Sequence, residues 1–579
     1  MPFVQRTVPS KRRGIVDAVA ILTLSIWVAL LYYPSLALGW TTFDDVIMLL
    51  QAEMFSPRDY FFTPDVYRLL SSANLTPWVT LSYDFDLALF GIAAEPFRIH
   101  QLLAIAILVA GSYLFIVRWC GPLVAWVSML LFSVSAPVAA VATTLSMRHY
   151  SEGGIMAVLA LHSYYVATHH RGWKHKALIL LSAAAYAGAV TAKEVFVPLV
   201  VVLFVIDHGT WIGRLRRLWL HALVAVLYSL WRIAMLGGAV AGYALPGGGG
   251  IASSLDGAWF MLRSLPDAAF LSPLTGLVFI SALIALLTFS ILRRQIGPLF
   301  FATIFICVLA PVAPVGMVAA IMGLHNSLRY FLVAMWAACL GFAFAVDRIA
   351  SPTWRAIWIS IALVCALRSA AKVHIYNGAL LRGLPQQIAA CIDFALASDS
   401  TRALELRQVP MMTDGLAGAV QLNRTSVGQA TADIVTGPLT LPTGFDRKLL
   451  YVQTGSPPWF VEGPSRKNEL LENARKARAI PGIVPQLDWL RDSVAWSIPG
   501  TTTASTSVVV RSASGSFEIP EAGNTGSLET LRQKLWLYRV HAPADIIFAW
   551  TGPDGIVRYT SPLEVPSRYL AFWEVARGG

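Results

Sequence analysis

The chain has 579 residues, of which 56% are hydrophobic and only 13% are charged, and its mean hydropathy is +0.61. A soluble protein of this length has no use for so much apolar surface, so the composition predicts a polytopic membrane protein. The formal net charge of +11 would suit a nucleic-acid binder. Most of that excess, however, lies in short connections between apolar stretches, where basic residues report membrane topology.

Eleven stretches approach the roughly 20 apolar residues that a helix needs to cross a hydrocarbon core of ~30 Å. The first is too long, and too poor in a small-residue cleavage site, to be a removable signal peptide, so we interpret it as a retained helix. The predicted spans cover residues 15–38, 99–117, 122–142, 153–168, 177–192, 195–207, 218–237, 270–291, 298–322, 330–346 and 356–371.

Alternate connections between these spans are short and basic, which by the positive-inside rule makes them cytoplasmic. The other connections then face outward, and an odd number of spans places the C-terminal part outside as well. We therefore expect a multi-pass protein, in a bacterial inner membrane, with a cytoplasmic N-terminus and a periplasmic C-terminus. The basic connections contain Lys11, Arg12 and Arg13; Arg118; Arg171, Lys174 and Lys176; Arg214, Arg216 and Arg217; Arg293 and Arg294; and Arg348 and Arg355.

The first outward connection, residues 39–98, is long, and long connections tend to be functional. Two helices are predicted in it from capping residues and from proline at a first helical position. Their signals are Thr41 or Thr42 before Phe43 for the first helix, and Thr76, Pro77 and a final Gly91 for the second. Apolar residues of the second helix recur at helical spacing, which is typical of an amphipathic helix on a membrane surface.

From about residue 372 the hydropathy falls, and residues 373–579 are predicted to form a separate outward-facing domain. A helical stretch at 386–397 leads into segments rich in β-forming residues, so we expect an α/β or mostly β fold. Cys391 is the only cysteine in this part, which excludes an internal disulfide there. The segments expected to be strands are 403–409, 448–452, 506–512, 534–540, 545–550, 557–559 and 569–575.

Two adjacent carboxylates, Asp44 and Asp45, follow the first span directly. Acids in the first turn of a helix favour the positive end of its dipole by about 0.3–1 kcal/mol each, which explains the pair structurally. Acidic residues beside a membrane also commonly face water, a partner or a substrate. A catalytic task for the pair is therefore the alternative hypothesis.

A second group of ionisable residues lies at the predicted outer ends of the spans. Each one taken alone suits a side chain that reaches from the interface to water. Together, cations from four separate outward connections oppose the positive-inside bias, and an anion at the headgroup level, such as a lipid phosphate, explains them economically. The group comprises Arg148, His149, Glu152, Lys193, Glu194, Arg232, His325 and Arg329.

Several segments resemble the polyprenyl-phosphate-sugar-dependent glycosyltransferases of the GT-C superfamily, chiefly the membrane region of the transmembrane and tetratricopeptide-repeat O-mannosyltransferases and their bacterial relatives. The likeness covers roughly residues 15–350. The matching segments are FDDVIMLLQ at 43–51, LSYDFDLALFG at 81–91, PFRIHQLL at 96–103, AVTAKEVFVPLVVVLFVID at 189–207, WRIAMLGGAVAGY at 231–243 and SLRYFLVA at 327–334. The chain departs from that family in lacking tetratricopeptide repeats and in carrying Leu69 where a proline usually follows Tyr-Arg.

The resemblance implies a bundle of membrane helices with two outer-loop helices over a cavity. It also implies transfer of a sugar, with inversion, from a polyprenyl-phosphate carrier to a hydroxyl acceptor on a protein, lipid or glycan. Asp44 or Asp45 would then be the base that takes the acceptor's proton, with Asp44 favoured. Asp45 would cap the helix or bind a divalent metal such as Mg or Mn, although nothing in the sequence demands a metal cofactor.

The remaining roles follow from the same chemistry. The phosphate leaving group needs fixed positive charge rather than a general acid, and the candidates are Lys193, Arg232, Arg329 and Arg148. The candidates for sugar or acceptor binding are Glu194, Asp86, His100 and His149. A membrane transporter or lipid flippase is the alternative, but no internal repeat is found and the ionisable residues cluster at one face rather than mid-span. A scaffold without catalytic activity is a third hypothesis.

Overall fold

The computed structural model describes residues 11–70, 75–206, 210–237, 251–292 and 324–396 in the first two thirds of the chain. In the last third it describes residues 401–405, 419, 433–442, 444–452, 460–490, 493–499, 506–513, 515–519, 525–528, 531–538 and 540–570. By internal contacts the chain divides into two compact units. The helical unit consists of Met1–Leu38 and Pro57–Gly383, and the mixed unit consists of Gly39–Ser56 and Leu384–Gly579.

The helical unit contains most of the long apolar helices. Its helices are α1 (Lys11–Tyr32), α3 (Pro57–Phe62), α4 (Asp65–Leu70), α5 (Pro77–Phe90), α6 (Ala94–Ile116), α7 (Pro122–Ser133), α8 (Ala136–Thr143), α9 (Arg148–Ala167), α10 (Gly172–Ala192), α11 (Leu199–Ile206), α12 (Trp211–Leu236), α13 (Ile251–Arg263), α14 (Leu265–Ala269), α15 (Pro273–Leu292), α16 (Leu324–Ser327), α17 (Leu332–Asp347) and α18 (Pro352–Leu380); α2 belongs to the mixed unit. Short 3-10 turns lie at Tyr33–Leu38, Leu145–Met147, Glu194–Phe196 and Leu328–Phe331.

Six of the described helical segments are long and apolar enough to cross a membrane, or seven if the bent pair α7 and α8 counts as one span. The chain is a multi-pass membrane protein. Large apolar side chains on these helices point outward rather than into the unit, with Leu30 71% exposed and Trp219 61% exposed. Outward-facing apolar residues of this kind suit contact with lipid. The six segments are Gly14–Leu38, Ala94–Ile116, Gly172–Ala192, Trp211–Leu236, Leu328–Asp347 and Pro352–Leu380.

Some of the predicted spans take a different local form. The one predicted at 122–142 is two helices bent by 57°, at a point where Pro137 enters the first turn of α8. The one predicted at 195–207 begins as a 3-10 turn and continues as the short helix α11. The one predicted at 298–322 lies outside the described residues. The two helices predicted in the connection at residues 39–98 are present, as α2 (Phe43–Met54) and α5.

The mixed unit contains α2 (Phe43–Met54), α19 (Leu384–Leu396), α20 (Pro464–Lys476), α21 (Leu531–Leu537) and α22 (Ser567–Leu570). Its strands are β1 (Arg402–Glu405), β2 (Asp433–Val435), β3 (Lys448–Val452), β4 (Phe460–Glu462), β5 (Arg478–Ala479), β6 (Gln486–Trp489), β7 (Val494–Ser497), β8 (Ser507–Ser512), β9 (Ser516–Ile519), β10 (Thr525–Leu528), β11 (Ala544–Thr551), β12 (Val557–Tyr559) and β13 (Leu563–Glu564). The predicted polytopic helical protein with a C-terminal α/β part is confirmed.

The strands form three sheets. The first has the order β2-β1-β3-β4, with β1 parallel to β2 and β3, and the second has the order β10-β7-β6. The third has the order β5-β12-β11-β8-β9, with β13 paired to β11. In the first sheet the buried Glu405 at the end of β1 accepts hydrogen bonds from Nε and Nη2 of Arg466, which satisfy its charge.

One of the segments expected to be a strand is wrong. The described part of 534–540 falls mostly in α21, in which Leu531, Leu535, Trp536 and Leu537 are buried. The aromatic residues of this segment favour a strand locally, and tertiary packing overrides that preference. Of the strand expected at 569–575, Tyr569 and Leu570 belong to α22, and residues 571–575 lie outside the described part of the chain.

Candidate functional site

The two adjacent aspartates at the start of α2 have different surroundings. Thr42 is the N-cap residue and forms a capping box with Asp45, whose Oδ2 accepts hydrogen bonds from the backbone N–H groups of Thr41 at 3.2 Å and Thr42 at 3.1 Å. Asp45 is fully buried, whereas Asp44 is exposed. One carboxylate therefore closes the helix start, and the other is accessible.

In the helical unit, a cationic cluster formed by Lys193, Glu194, Arg232 and Arg329 brings together residues that are far apart in sequence. Lys193 follows the last residue of α10, and its Nζ lies 3.2 Å from Oε1 of Glu194. Nη1 of Arg232, on α12, lies 3.7 Å from Oε2 of the same carboxylate. Arg329 follows α16 and stacks over the ring of Tyr330 at 4.7 Å. The four charged side chains sum to a formal charge of +2.

Three titratable groups in and beside this cluster, Lys193, Glu194 and His149, all have a lowered pKa. Burial, together with Arg232 and Arg329, lowers the pKa of Lys193 despite the opposing effect of Glu194. Burial works to raise the pKa of Glu194, but the charges of Lys193 and Arg232 outweigh it and the pKa is lowered. Burial, Lys193 and Arg329 hold the pKa of His149 well below its usual value. Each direction is the one expected where the local potential is positive.

An apolar cavity lies beside residues of this cluster. Tyr150, next in sequence to His149, and Phe196, two residues after Glu194, both line it. Within the described residues, the buried hydroxyl of Tyr150 has no hydrogen-bond partner. The other lining residues are Leu108, Phe132, Gly154, Ala157, Val158, Leu199, Leu332, Val333 and Trp336. The helical unit thus combines fixed positive charge with an apolar cavity.

A buried ion network, formed by Ser82, Asp86, His100, Arg148 and Glu152, joins α5, α6 and α9. Nη1 of Arg148 lies 2.6 Å from Oδ2 of Asp86 and donates to Oγ of Ser82 at 3.0 Å, and Nη2 donates to the carbonyl oxygen of Phe97 at 2.7 Å. The guanidinium also lies over the rings of Tyr83 and Phe97, 5.0 and 5.6 Å from their centroids.

The same network holds two further titratable groups. His100 contacts both carboxylate oxygens of Asp86 through Nδ1, at 2.8 and 3.0 Å. Ser82 donates to Oε1 of Glu152 at 2.6 Å. Asp86 and Arg148 are almost completely buried, while the side chain of His100 is 33% exposed.

The structure therefore sorts the sequence-predicted site residues into three groups. Lys193, Glu194, Arg232 and Arg329 lie together, with His149 among them. Asp86, His100 and Arg148 lie together in the buried ion network. Asp44 and Asp45 belong to the mixed unit, and the side chain of His325 lies outside the described part of the chain.

The geometry changes the reading of one predicted phosphate ligand. The Arg148 guanidinium is 0% exposed and is held by three protein oxygens, so its task is to fix α5 and α6 against α9. Sequence reasoning also missed Ser82 and Tyr150, since an isolated hydroxyl in an apolar helix gives no signal of its own. The adjacency of Tyr150 to His149 was the one available hint.

A divalent metal bound by Asp45 stays a prediction. Over the ranges that the structure describes, no group of three or more His, Cys, Asp or Glu side chains is arranged to hold a metal ion. Asp45, the predicted metal ligand, accepts two backbone hydrogen bonds at the start of α2.

No protein-family model matches the chain, and no curated protein matches it. Among solved structures, the chain is similar to ArnT from Cupriavidus metallidurans in the apo state, at 13% identity and a TM-score of 0.47, over 82% of this chain and 96% of that one. The same protein bound to undecaprenyl phosphate gives 12% identity and a TM-score of 0.45, over 81% and 96%. The Archaeoglobus fulgidus oligosaccharyltransferase, in complex with zinc and sulfate, gives 11% identity and a TM-score of 0.39, over 70% and 61%.

Proposed function

We propose that this chain is a GT-C-type inverting glycosyltransferase, which moves a sugar from a polyprenyl-phosphate carrier to a hydroxyl acceptor at the outer face of the membrane. The observation that carries the proposal is the cationic cluster beside the apolar cavity. A polyprenyl phosphate combines an anionic headgroup with an apolar tail, and the helical unit offers a matching place for each.

The headgroup half of the proposal rests on charge. Lys193 and Arg232 both lie within 3.7 Å of the Glu194 carboxylate. Arg329, from a third part of the chain, is close enough to Lys193 to lower its pKa. Hydrogen bonds from cationic side chains to phosphate oxygens are shorter and stronger than neutral ones, and Arg can bind two oxygens at once. The same cations stabilise the negative charge that grows on the phosphate as the sugar leaves.

The tail half rests on shape. The cavity lies among α6, α7, α9, α11 and α17, and its lining is apolar apart from the Tyr150 hydroxyl and the Trp336 indole N–H. The indole N–H already donates to Ser112 at 2.8 Å. The first prenyl units of the carrier would lie here and exchange an empty apolar surface for a filled one.

The proposed step is a single displacement. A bond forms between the acceptor oxygen and the anomeric carbon, while the bond from that carbon to the phosphate oxygen breaks and its electron pair stays on the phosphate. We assign the acceptor's proton to the exposed carboxylate of Asp44, because a hydroxyl nucleophile needs a base within hydrogen-bond reach. One carboxylate suffices, unlike the pair that a glycoside hydrolase uses.

The finer parts of the proposal come from the motif resemblance. They are a hexosyl or mannosyl donor, a protein, lipid or glycan acceptor, and a bacterial inner membrane with a periplasmic C-terminus. Glu194, in the cationic cluster, and His149, beside it, are proposed to bind the sugar or the acceptor. His100, the exposed member of the buried ion network, is a further candidate for this role. A divalent cation between a carboxylate and the phosphate remains a prediction, which assays with and without a chelator test.

The test uses the full-length protein in vesicles, with a radiolabelled polyprenyl-phosphate sugar and a mixture of hydroxyl acceptors. We expect label to move to an acceptor in the wild-type protein and not in Asp44→Asn, with carrier binding retained in the variant. Movement of the carrier across the bilayer without any transfer would contradict the proposal and favour the flippase alternative. Full transfer activity in Asp44→Asn would remove Asp44 from the mechanism.

A further inference from the structure

In the buried ion network, two hydrogen-bond acceptors face each other unless the network holds one additional proton. Both oxygens of Asp86 lie within 3.0 Å of Nδ1 of His100. An ionised carboxylate can only accept hydrogen bonds, so the ring hydrogen must be on Nδ1. In a neutral ring the other nitrogen, Nε2, then presents only a lone pair.

That lone pair faces another acceptor. Nε2 of His100 lies 3.7 Å from Oε1 of Glu152, and the Glu152 side chain is 9% exposed. Two acceptors in this position repel each other when the carboxylate is ionised and the ring is neutral. A single proton, on Nε2 or on the carboxyl group, turns the repulsion into attraction.

Charge balance leads to the same count. Arg148 and Asp86 neutralise each other across 2.6 Å inside the network. With no additional proton the remaining pair, His100 and Glu152, carries one buried negative charge, and with one proton the whole network is neutral. Burying an uncompensated charge is costly, so the protonated pair is the more stable state.

The surroundings of Glu152 agree with this count. The groups that face it are Ser82 and Asp86 from α5, His100 from α6 and Arg148 from its own helix. Burial raises the pKa of the Glu152 carboxyl, and Asp86 adds to the rise, while Arg148, Ser82 and His100 oppose it. Glu152 itself precedes the predicted apolar span 153–168. Its Oε2 is buried and has no hydrogen-bond partner within the described residues, which costs less for a neutral carboxyl group than for a charged one.

We propose that His100 and Glu152 form a proton-sharing pair that holds one proton at neutral pH, a second acid–base site separate from Asp44. The exposed third of His100 is its route for exchange with water or with the hydroxyl group of a bound compound. Asp86 is a positioning residue, because it fixes the ring tautomer, and Arg148 in turn holds Asp86.

The test needs no transferase activity, so its outcome is independent of the proposed function. Full-length protein in lipid nanodiscs is examined by infrared difference spectroscopy for a carboxylic-acid band, and by NMR with ¹⁵N-labelled histidine for the protonation of His100. At neutral pH we expect either a carboxylic-acid band that disappears in Glu152→Gln, or a doubly protonated ring whose signal disappears in His100→Asn. The matched control Glu194→Gln should leave the band in place, because the lowered pKa of Glu194 keeps that carboxyl ionised.

A neutral His100 ring together with no Glu152-dependent carboxylic-acid band at neutral pH would overturn the proposal. If Glu152→Gln does not fold, Glu152→Asp takes its place, and a carboxylic-acid band that does not shift in that variant while the His100 ring is neutral would overturn the proposal. With Asp86→Asn we expect the fixed Nδ1–H tautomer to be lost and a second tautomer signal to appear for His100. An unchanged ring signal in that variant would remove Asp86 as the group that positions the ring.

Discussion

Nη1 of Arg148 lies 2.6 Å from Oδ2 of Asp86, and each of the two side chains is at most 1% exposed. This pair ties α5, which lies in the connection at residues 39–98, to the first turn of α9. The residues that follow Arg148 on that turn, His149 and Tyr150, border the cationic cluster and the apolar cavity. A buried ion pair therefore fixes the local position of residues that we propose to lie beside the bound sugar donor.

Breaking this pair should destabilise the helical unit strongly. In Arg148→Met the carboxylate of Asp86 stays buried without its main counter-charge, and losing one partner of a buried pair typically costs about 3–5 kcal/mol. We expect a clear fall in the thermal unfolding temperature of the full-length protein in detergent. The control is Lys448→Met, which breaks an exposed pair with Glu462. An exposed pair contributes only about 0–1 kcal/mol, so equal effects of the two substitutions would contradict the prediction.

The two adjacent aspartates should separate stability from activity. Asp45→Ala removes a capping interaction, which typically costs about 0.5–2 kcal/mol, and should lower the unfolding temperature. Asp44→Asn leaves the capping box of Thr42 and Asp45 in place and should lower kcat by about 100-fold or more, as expected for loss of a general base. Unfolding curves and steady-state kinetics on both variants check this. The opposite pattern, with Asp45 essential and Asp44 dispensable, would reassign the base.

Donor binding should depend on the cationic cluster. A charge-assisted hydrogen bond contributes about 1.5–3 kcal/mol, so Lys193→Met or Arg232→Met should each raise the Kd for a short-chain polyprenyl phosphate by roughly 10- to 150-fold. Binding without a sugar isolates this effect from the chemical step. Lys174→Met, an exposed basic residue in a predicted cytoplasmic connection, is the matched control and should bind as the wild type does. Unchanged affinity in all three variants would place the phosphate elsewhere.

Acidification should destabilise the fold through His149. Its pKa is lowered in the folded state, so between that pKa and the ordinary value of about 6.5 the unfolded chain binds more protons than the folded one. Stability therefore rises with pH through this window and is lost as pH falls below about 6.5. We expect His149→Gln to show a weaker fall in unfolding temperature between about pH 6.5 and 5 than the wild type. Identical slopes would show that other groups set the acid sensitivity.

A bound phosphate should change the same titration. An anion held by Lys193 and Arg329 cancels much of the positive potential that lowers the pKa of His149. With saturating short-chain polyprenyl phosphate, histidine NMR should report a His149 pKa closer to the ordinary value than in the free protein. No movement of that signal on saturation would argue that the ligand binds away from the cationic cluster.

Much of the fold could be predicted because its signals are local. Length and hydropathy indicate a membrane span without any tertiary information, and six of the predicted spans, among them 15–38 and 356–371, correspond to long apolar helices. Thr42 and Pro77 mark helix starts because capping and proline geometry act within one turn. The strands at 448–452 and 557–559 could also be predicted from their composition. The strand predicted at 534–540 is wrong because its residues allow either a strand or a helix, and buried contacts favour the helix.

The sequence alone determined that the protein spans a membrane and which residues carry unusual charge near the ends of the spans, since both depend only on residue type and order. Only the tertiary structure decided which of those charges act together. Lys193 and Arg232 meet at the Glu194 carboxylate, whereas Arg148 pairs with Asp86, although all three looked alike in the sequence as outward cations. The physical reason is that the position of a residue in its helix or turn fixes the direction in which its side chain points. Helix packing, which no local signal encodes, determines whether that direction leads to a carboxylate in the core or to a cavity.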